Sequence, residues 1–183
     1  MKTATHAVGV VLAGGLSSRM GRDKALLPWG EATLLDHMIG LLKASGLAQV
    51  VVSGERPGYR SVADPEPNQG PGVAISHLLA TLEPDAWALV VPVDMPMLTP
   101  DLIRRLLGEP GRPLQAAHYA GQPLPALLPS RAADGSLLSG RSLRALHAAA
   151  GSRELALDPA DAAAFLNVNT PDNWDQARAE ARP

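Results

Sequence analysis

A three-layer α/β fold is what this sequence predicts: a mostly parallel sheet with helices on both faces and a small antiparallel addition. Three observations carry it. The apolar runs HAVGVVLA, VVVS and ALVVPV do not alternate with polar residues, which marks strands buried on both faces. Segments with apolar residues at helical spacing stand between those runs, and each run opens into a loop bearing glycine, proline or aspartate. Strand and helix alternating in that order make crossovers of one hand, and so a doubly wound sheet.

The first strand is His6 to Ala13, followed by the stretch LAGGLSSRMGRDKALLP from residue 12 to 28. Thr33 then caps a helix in which Leu34, Leu35, Met38, Leu41 and Leu42 recur on one face, ending near Ser45-Gly46. Val50 to Ser53 is the second strand, and Gly54 to Gly72, rich in proline and glycine, reads as a long loop. Val73 to Leu82 reads as a helix and Ala88 to Val93 as a third strand that stops at Asp94. Thr99, Pro100 and Asp101 open the helix LIRRLL as cap, first-turn proline and first-turn acid. Leu114 to Tyr119 and Leu124 to Leu128 read as an antiparallel pair, with Pro125 placing the second at an edge. Helical residues from Ser136 to Ala150, a short strand ELALD, the segment FLNVN and a helix capped by Thr170-Pro171 complete the chain.

With 183 residues, 46% hydrophobic and 19% charged, the chain fits one domain with a substantial core. A formal charge of -2 supplies no basic field for nucleic acid or anionic membrane, so any phosphate binding must be local. No cysteine occurs, which removes disulfides, thiolate metal sites and cysteine nucleophiles, and fits a cytoplasmic location. The N-terminal apolar run is too short to span a bilayer and enters a polar loop rather than a cleavage site. Five histidines occur without an H-x-x-x-H frame, which argues against a zinc enzyme.

Ligands of open parallel sheets bind beyond the carboxyl ends of the strands, where the 12–28 stretch begins. Gly14 and Gly15 let backbone N–H groups approach an anion, and Arg19 and Lys24 bring compensating charge. A flexible turn with solvated basic residues is the alternative, but Ser17, Ser18, Arg19, Arg22 and Lys24 are more than a bare turn needs. Neither the G-x-x-x-x-G-K-[ST] frame nor G-x-G-x-x-G is present. Asp94, at a buried strand's end, is a candidate carboxylate for Mg²⁺; the alternative is a turn residue before Met95-Pro96. Asp23 beside Lys24 reads as a local ion pair or cap rather than a second metal ligand. Arg141 and Arg144 share a helix face by spacing, either solvated or set to hold an anion. Asn167 and Asn169 alternate along a strand or its end, which would place both amides on one side to offer donors and acceptors to a ligand, or they serve a turn or cap.

The 12–28 stretch resembles, nearly residue for residue, the signature L-A-G-G-x-S-x-R-M-G-x-D-K-x-L-L of nucleotidyltransferases related to molybdenum cofactor guanylyltransferase. The likeness extends to Asp64 before Gly70-Pro71, to Val93-Asp94-Met95-Pro96, to Gln122-Pro123 and to Phe165–Pro171. It implies a Rossmann-like fold of the nucleotide-diphospho-sugar transferase type, with a nucleotide part over about 1–107 and an acceptor part over about 108–183. It also implies Mg²⁺-dependent transfer of GMP from GTP to molybdenum-bound molybdopterin, releasing pyrophosphate, and transient contact with proteins that donate or accept the cofactor. Leu12, Ala13, Gly14, Gly15, Lys24, Ser53, Asp64 and Asp94 then fall to GTP, and Arg19, Lys24 and Asp94 to catalysis. Arg141, Arg144, Asn167 and Asn169 fall to the acceptor. Ser53 stands where relatives often carry asparagine, and the glycine after Gly70-Pro71 is shifted.

Rival readings are a related cytidylyltransferase, a sugar-1-phosphate nucleotidyltransferase and an inactive nucleotide-binding module. Gly14-Gly15 and NVNTP favour guanine, the short chain lacks an extra acceptor domain, and Arg19, Lys24 and Asp94 occurring together favour catalysis.

Overall fold

The computed structural model describes residues 7–14, 23–64, 66, 69–133 and 142–181. Strand β1 (Ala7–Leu12) leads, past residues outside that set, to a 3-10 turn (Lys24–Leu26) and a small hairpin, β2 (Pro28–Trp29) and β3 (Ala32–Thr33). Helix α1 (Leu34–Ala44) follows, then β4 (Val50–Ser53), β5 (Ser61–Val62), α2 (Pro71–Ala80), β6 (Trp87–Pro92) and α3 (Pro100–Leu107). The second half holds β7 (Ala117–Tyr119), β8 (Gln122–Pro129), α4 (Leu143–Ala150), β9 (Arg153–Leu155), a 3-10 turn (Pro159–Phe165) and α5 (Pro171–Glu180).

Seven strands form one sheet in the order β5-β4-β1-β6-β8-β7-β9. The first four are parallel, β8 is antiparallel to both its neighbours, and β9 is parallel to β7. Alternate residues of the central strands enter separate cores, which is why their apolar runs are unbroken. Val11, Val52, Leu89 and Val91 pack with α1, α3 and the C-terminal segment on one face. Val10, Val51, Ala88 and Val90 pack with α2 and α4 on the other. The α1 boundaries match their signals: the Thr33 hydroxyl accepts from Asp36 N–H, the Asp36 carboxylate accepts from Thr33 N–H, and Gly46 follows at φ +98°.

Five expectations are corrected. Pro125 is not on an edge strand, because β8 lies between β6 and β7. It is tolerated there because the β6 ladder ends at Val90 and Ala126, and the β7 register shifts between His118 and Tyr119, so residues 123–125 fall in the irregularity. The long loop after Ser53 contains β5, and α2 opens two residues early at Pro71, since a first-turn proline has no N–H to leave unpaired. The last strand is Arg153–Leu155 rather than ELALD. FLNVN is no strand: Phe165 ends a 3-10 turn, and Asn169 N–H donates to the Asn167 carbonyl at 2.9 Å. The helix expected from Ser136 is described from Leu143, with Ser142 as cap; residues 134–141 lie outside the described set.

Candidate active site

The carboxyl ends of β1, β4 and β6 define the mouth of the sheet. There Ala13 N–H donates to the Ser53 carbonyl at 3.2 Å, and Val93 N–H to the Leu12 carbonyl at 3.0 Å. The Leu12 and Ala13 side chains are buried in opposite cores, so only their backbones face the mouth. A Cβ on Gly14 would meet the Ser53 carbonyl oxygen at 3.6 Å, ordinary contact, so the protein's own atoms do not demand glycine there. The demanding position is Gly54, at φ +102°, where a Cβ would lie 3.2 Å from Gly14 Cα.

Asp94 sits two residues beyond β6, in a turn held from two sides. His37 Nε2–H donates to the Pro96 carbonyl at 2.8 Å, and Val168 N–H donates to the Asp94 carbonyl at 2.8 Å. The second bond brings the C-terminal segment across the mouth. Lys24 is placed from the opposite direction: Asp23 caps its turn by accepting from Ala25 N–H at 3.1 Å, and Ala25 is buried. The Lys24 ammonium donates to Asn169 Oδ1 and stands 3.9 Å from Asp94 Oδ2. Burial pushes the Asp94 carboxyl above the ordinary aspartate range, and the nearby Lys24 charge pulls the other way. Behind this cluster, Trp29 meets His37 with ring centroids 5.7 Å apart and Trp174 at 5.6 Å, tying the hairpin, α1 and α5 together.

The structure therefore brings together Lys24, Asp94 and Asn169, residues far apart in sequence. Asp23 is the cap its position suggests, and its ion pair is with distant Arg56 rather than a local one: Arg56 donates to both its carboxylate oxygens. Asp64 lies just past β5 and accepts from Glu66 N–H at 3.0 Å in a local turn. The Asn167 carbonyl accepts from Asn173 Nδ2 at 2.9 Å. Arg144 is exposed on α4, whose apolar face packs on the side of the sheet opposite Val168. Gly15, Arg19 and Arg141 lie outside the described residues. Sequence reading missed Arg56, Gly54 and the Val168 backbone. Arg56 stands in GERPGYR with no periodic or motif signal, and only the φ and contacts reveal Gly54.

No group of three His, Cys, Asp or Glu among the described residues could hold a metal ion by itself. One part-buried carboxylate at a strand end is the donor set that suits Mg²⁺, which takes one or two protein oxygens and completes its shell with phosphate and water.

Among the described residues a lysine and a carboxylate converge at the carboxyl ends of a parallel sheet, an arrangement suited to the charge neutralisation that nucleotidyl transfer requires. The comparisons are of one kind with this: residues 9–163 match the MobA-like NTP transferase domain, and the chain belongs to that family. It is similar to the molybdenum cofactor guanylyltransferase of Xanthomonas euvesicatoria pv. vesicatoria (strain 85-10), at 40% identity over 176 residues and 92% of each chain. In fold it resembles molybdopterin-guanine dinucleotide biosynthesis protein A from Archaeoglobus fulgidus, with a TM-score of 0.71 at 22% identity, covering 94% of this chain and 97% of that one. A manganese complex of Rv0371c from Mycobacterium tuberculosis H37Rv aligns with a TM-score of 0.66 at 22% identity, over 97% of this chain and all of that one. Among the described residues no helix is long and apolar enough to cross a membrane.

Proposed function

We propose that this chain transfers GMP from GTP to molybdenum-bound molybdopterin, forming the guanine dinucleotide cofactor and pyrophosphate. The observation that carries the reading is the convergence of Lys24, Asp94 and Asn169 at the mouth of the sheet, beside a guanylyltransferase signature. An acceptor phosphate oxygen bonds to the α-phosphorus of GTP as the bond to the β-phosphate oxygen breaks, and pyrophosphate leaves with the electron pair. A phosphomonoester is already ionised near neutral pH, with a second pKa of about 6, so no protein base is required. The work left to the protein is alignment and charge neutralisation.

Lys24 neutralises the triphosphate, and Asn169 fixes its ammonium in place. By the signature, Arg19 would add charge and Gly14 and Gly15 would let backbone N–H groups approach the phosphates, with Leu12, Ala13, Ser53 and Asp64 assigned to the nucleoside. Asp94 holds Mg²⁺; when bound, the ion offsets charge on the reacting phosphate oxygens. The manganese in the Mycobacterium tuberculosis structure supports a divalent cation in this fold. Asn167, Arg141 and Arg144 fall to the acceptor, within a part spanning about 108–183 against a nucleotide part of about 1–107. The protein works in the cytoplasm, in passing contact with proteins that donate or accept the cofactor.

The test is a nucleotide panel with Mg²⁺ and molybdopterin, reading pyrophosphate and the dinucleotide formed. GTP turnover well above CTP is expected. Equal turnover with both removes the guanine assignment, and no pyrophosphate with any nucleotide removes the enzyme.

A further inference from the structure

Arg56 has no part in the chemistry above, yet its side chain joins the two segments that form the site. Its own backbone is held on both sides: Arg56 N–H donates to Ser61 Oγ at 3.2 Å, Tyr59 N–H donates to the Arg56 carbonyl at 3.2 Å, and Gly54 N–H donates to the Val62 carbonyl at 2.9 Å. From that base, Nη2 donates to the Ala13 carbonyl at 2.6 Å and to Asp23 Oδ1 at 3.1 Å, while Nη1 donates to Asp23 Oδ2. One guanidinium thus ties the end of β1 to the residue that caps the Lys24 turn.

The side chain is 19% exposed, and its Nε is buried with no hydrogen-bond partner among the described residues. Leaving a buried donor unmade is unfavourable, so the fork contacts outweigh that loss in setting the rotamer. We propose that Arg56 is a positioning residue: by clamping Ala13 to Asp23 it sets where the Lys24 ammonium stands relative to Asp94. This rests on the reading that Lys24 holds the triphosphate. The planar fork is already taken by a carboxylate and a carbonyl, so Arg56 acts through Asp23 rather than on a phosphate. A lysine amine, a single point donor, cannot hold both partners in that geometry.

The experiment measures GTP affinity, turnover with molybdopterin and melting temperature for the full chain and five variants: Arg56→Gln, Arg56→Lys, Asp23→Asn, Lys24→Ala and the double variant Arg56→Gln/Lys24→Ala. A misplacement of about an ångström costs on the order of tenfold to hundredfold, so Arg56→Gln and Asp23→Asn should each lose that much in kcat/KM. Arg56→Lys should recover only part. In the Lys24→Ala background Arg56→Gln should add less than about a further twofold, because the group it positions is gone. An equal additional loss in that background would mean direct contact with the nucleotide and would overturn the proposal. A lowered melting temperature with unchanged kcat/KM would overturn it in favour of a purely structural clamp. Undiminished turnover in Lys24→Ala sinks the Lys24 reading and this proposal with it; a loss there beside wild-type kinetics in Arg56→Gln sinks the positioning role alone.

Discussion

Asp94 feels two opposed influences, and their separation gives a test at the scale of one residue. Burial raises its pKa in the folded chain, and the Lys24 charge partly offsets this. For an acid with a raised folded-state pKa, folding favours the protonated form. Its contribution to stability is present below the ordinary aspartate value and is lost as the pH rises through the raised value. The ionised carboxylate is therefore a cost at neutral pH, retained for charge at the mouth. Asp94→Asn keeps the shape and removes that cost, so without metal at pH 7 it should melt at or above the wild-type temperature. Turnover should nevertheless fall on the order of 10²-fold or more, with GTP binding still measurable. A mutant that melts lower and turns over normally would make Asp94 a turn residue only. The acid limb of kcat/KM should also lie above that of an exposed aspartate and move to lower pH as Mg²⁺ is raised, since a cation competes with the proton for the carboxylate. A limb that ignores Mg²⁺ would uncouple the two.

Among the elements, the turn from Ser53 into β5 shapes the mouth through backbone contact at Gly54 as well as through the Arg56 side chain. Gly54 combines a left-handed φ of +102° with a close approach to Gly14, 3.2 Å from a hypothetical Cβ to Gly14 Cα and 3.3 Å to Gly14 N. Gly54→Ala should cost about 1–3 kcal/mol in urea unfolding and weaken GTP binding by shifting Gly14. Gly14→Ala, whose Cβ meets nothing nearer than 3.6 Å, should leave stability close to wild type and show its effect in GTP affinity alone. Equal destabilisation by the two would overturn this division. The same turn shows why sequence reading stops where it does. Helix α1 was legible because Thr33, the Leu34–Leu42 spacing and Ser45-Gly46 are local signals. The two-residue strands β2, β3 and β5 carry no periodicity, and β5 exists because Val52 N–H finds the Arg60 carbonyl and Gly54 N–H the Val62 carbonyl, each at 2.9 Å. Lys24 and Asp94 were legible from a loop and a strand end. Their meeting with Asn169 was not, because 145 residues separate Lys24 from Asn169 and the contact depends on the Val168 bond to Asp94.

At the level of the molecule, the proposed nucleotide and acceptor parts would be joined by the interior of one sheet, and this makes a prediction about dividing them. Strand β6 pairs with β1 on one side and β8 on the other, from Trp87 opposite Pro129 to Val90 opposite Ala126. A fragment of residues 1–107 would turn β6 into an edge and uncover Ala88, Leu89, Val90 and Val91, each fully buried in the whole chain. It would also strip α3 of Tyr119, whose hydroxyl donates to the Leu102 carbonyl at 2.8 Å, and the site of Val168 and Asn169, which hold Asp94 and Lys24. The lost burial and the two lost anchors act on the same part of the fold, so the fragment should show no cooperative urea transition and no saturable GTP binding. The full chain should unfold in one transition that Mg²⁺ and GTP move upward together, by about 2.7 kcal/mol at a hundredfold excess over Kd. Circular dichroism and near-ultraviolet signals followed through the same urea titration check both statements. A folded, GTP-binding fragment, or two separated transitions in the full chain, would show that the nucleotide half is independent and that the C-terminal segment does not order Lys24 and Asp94.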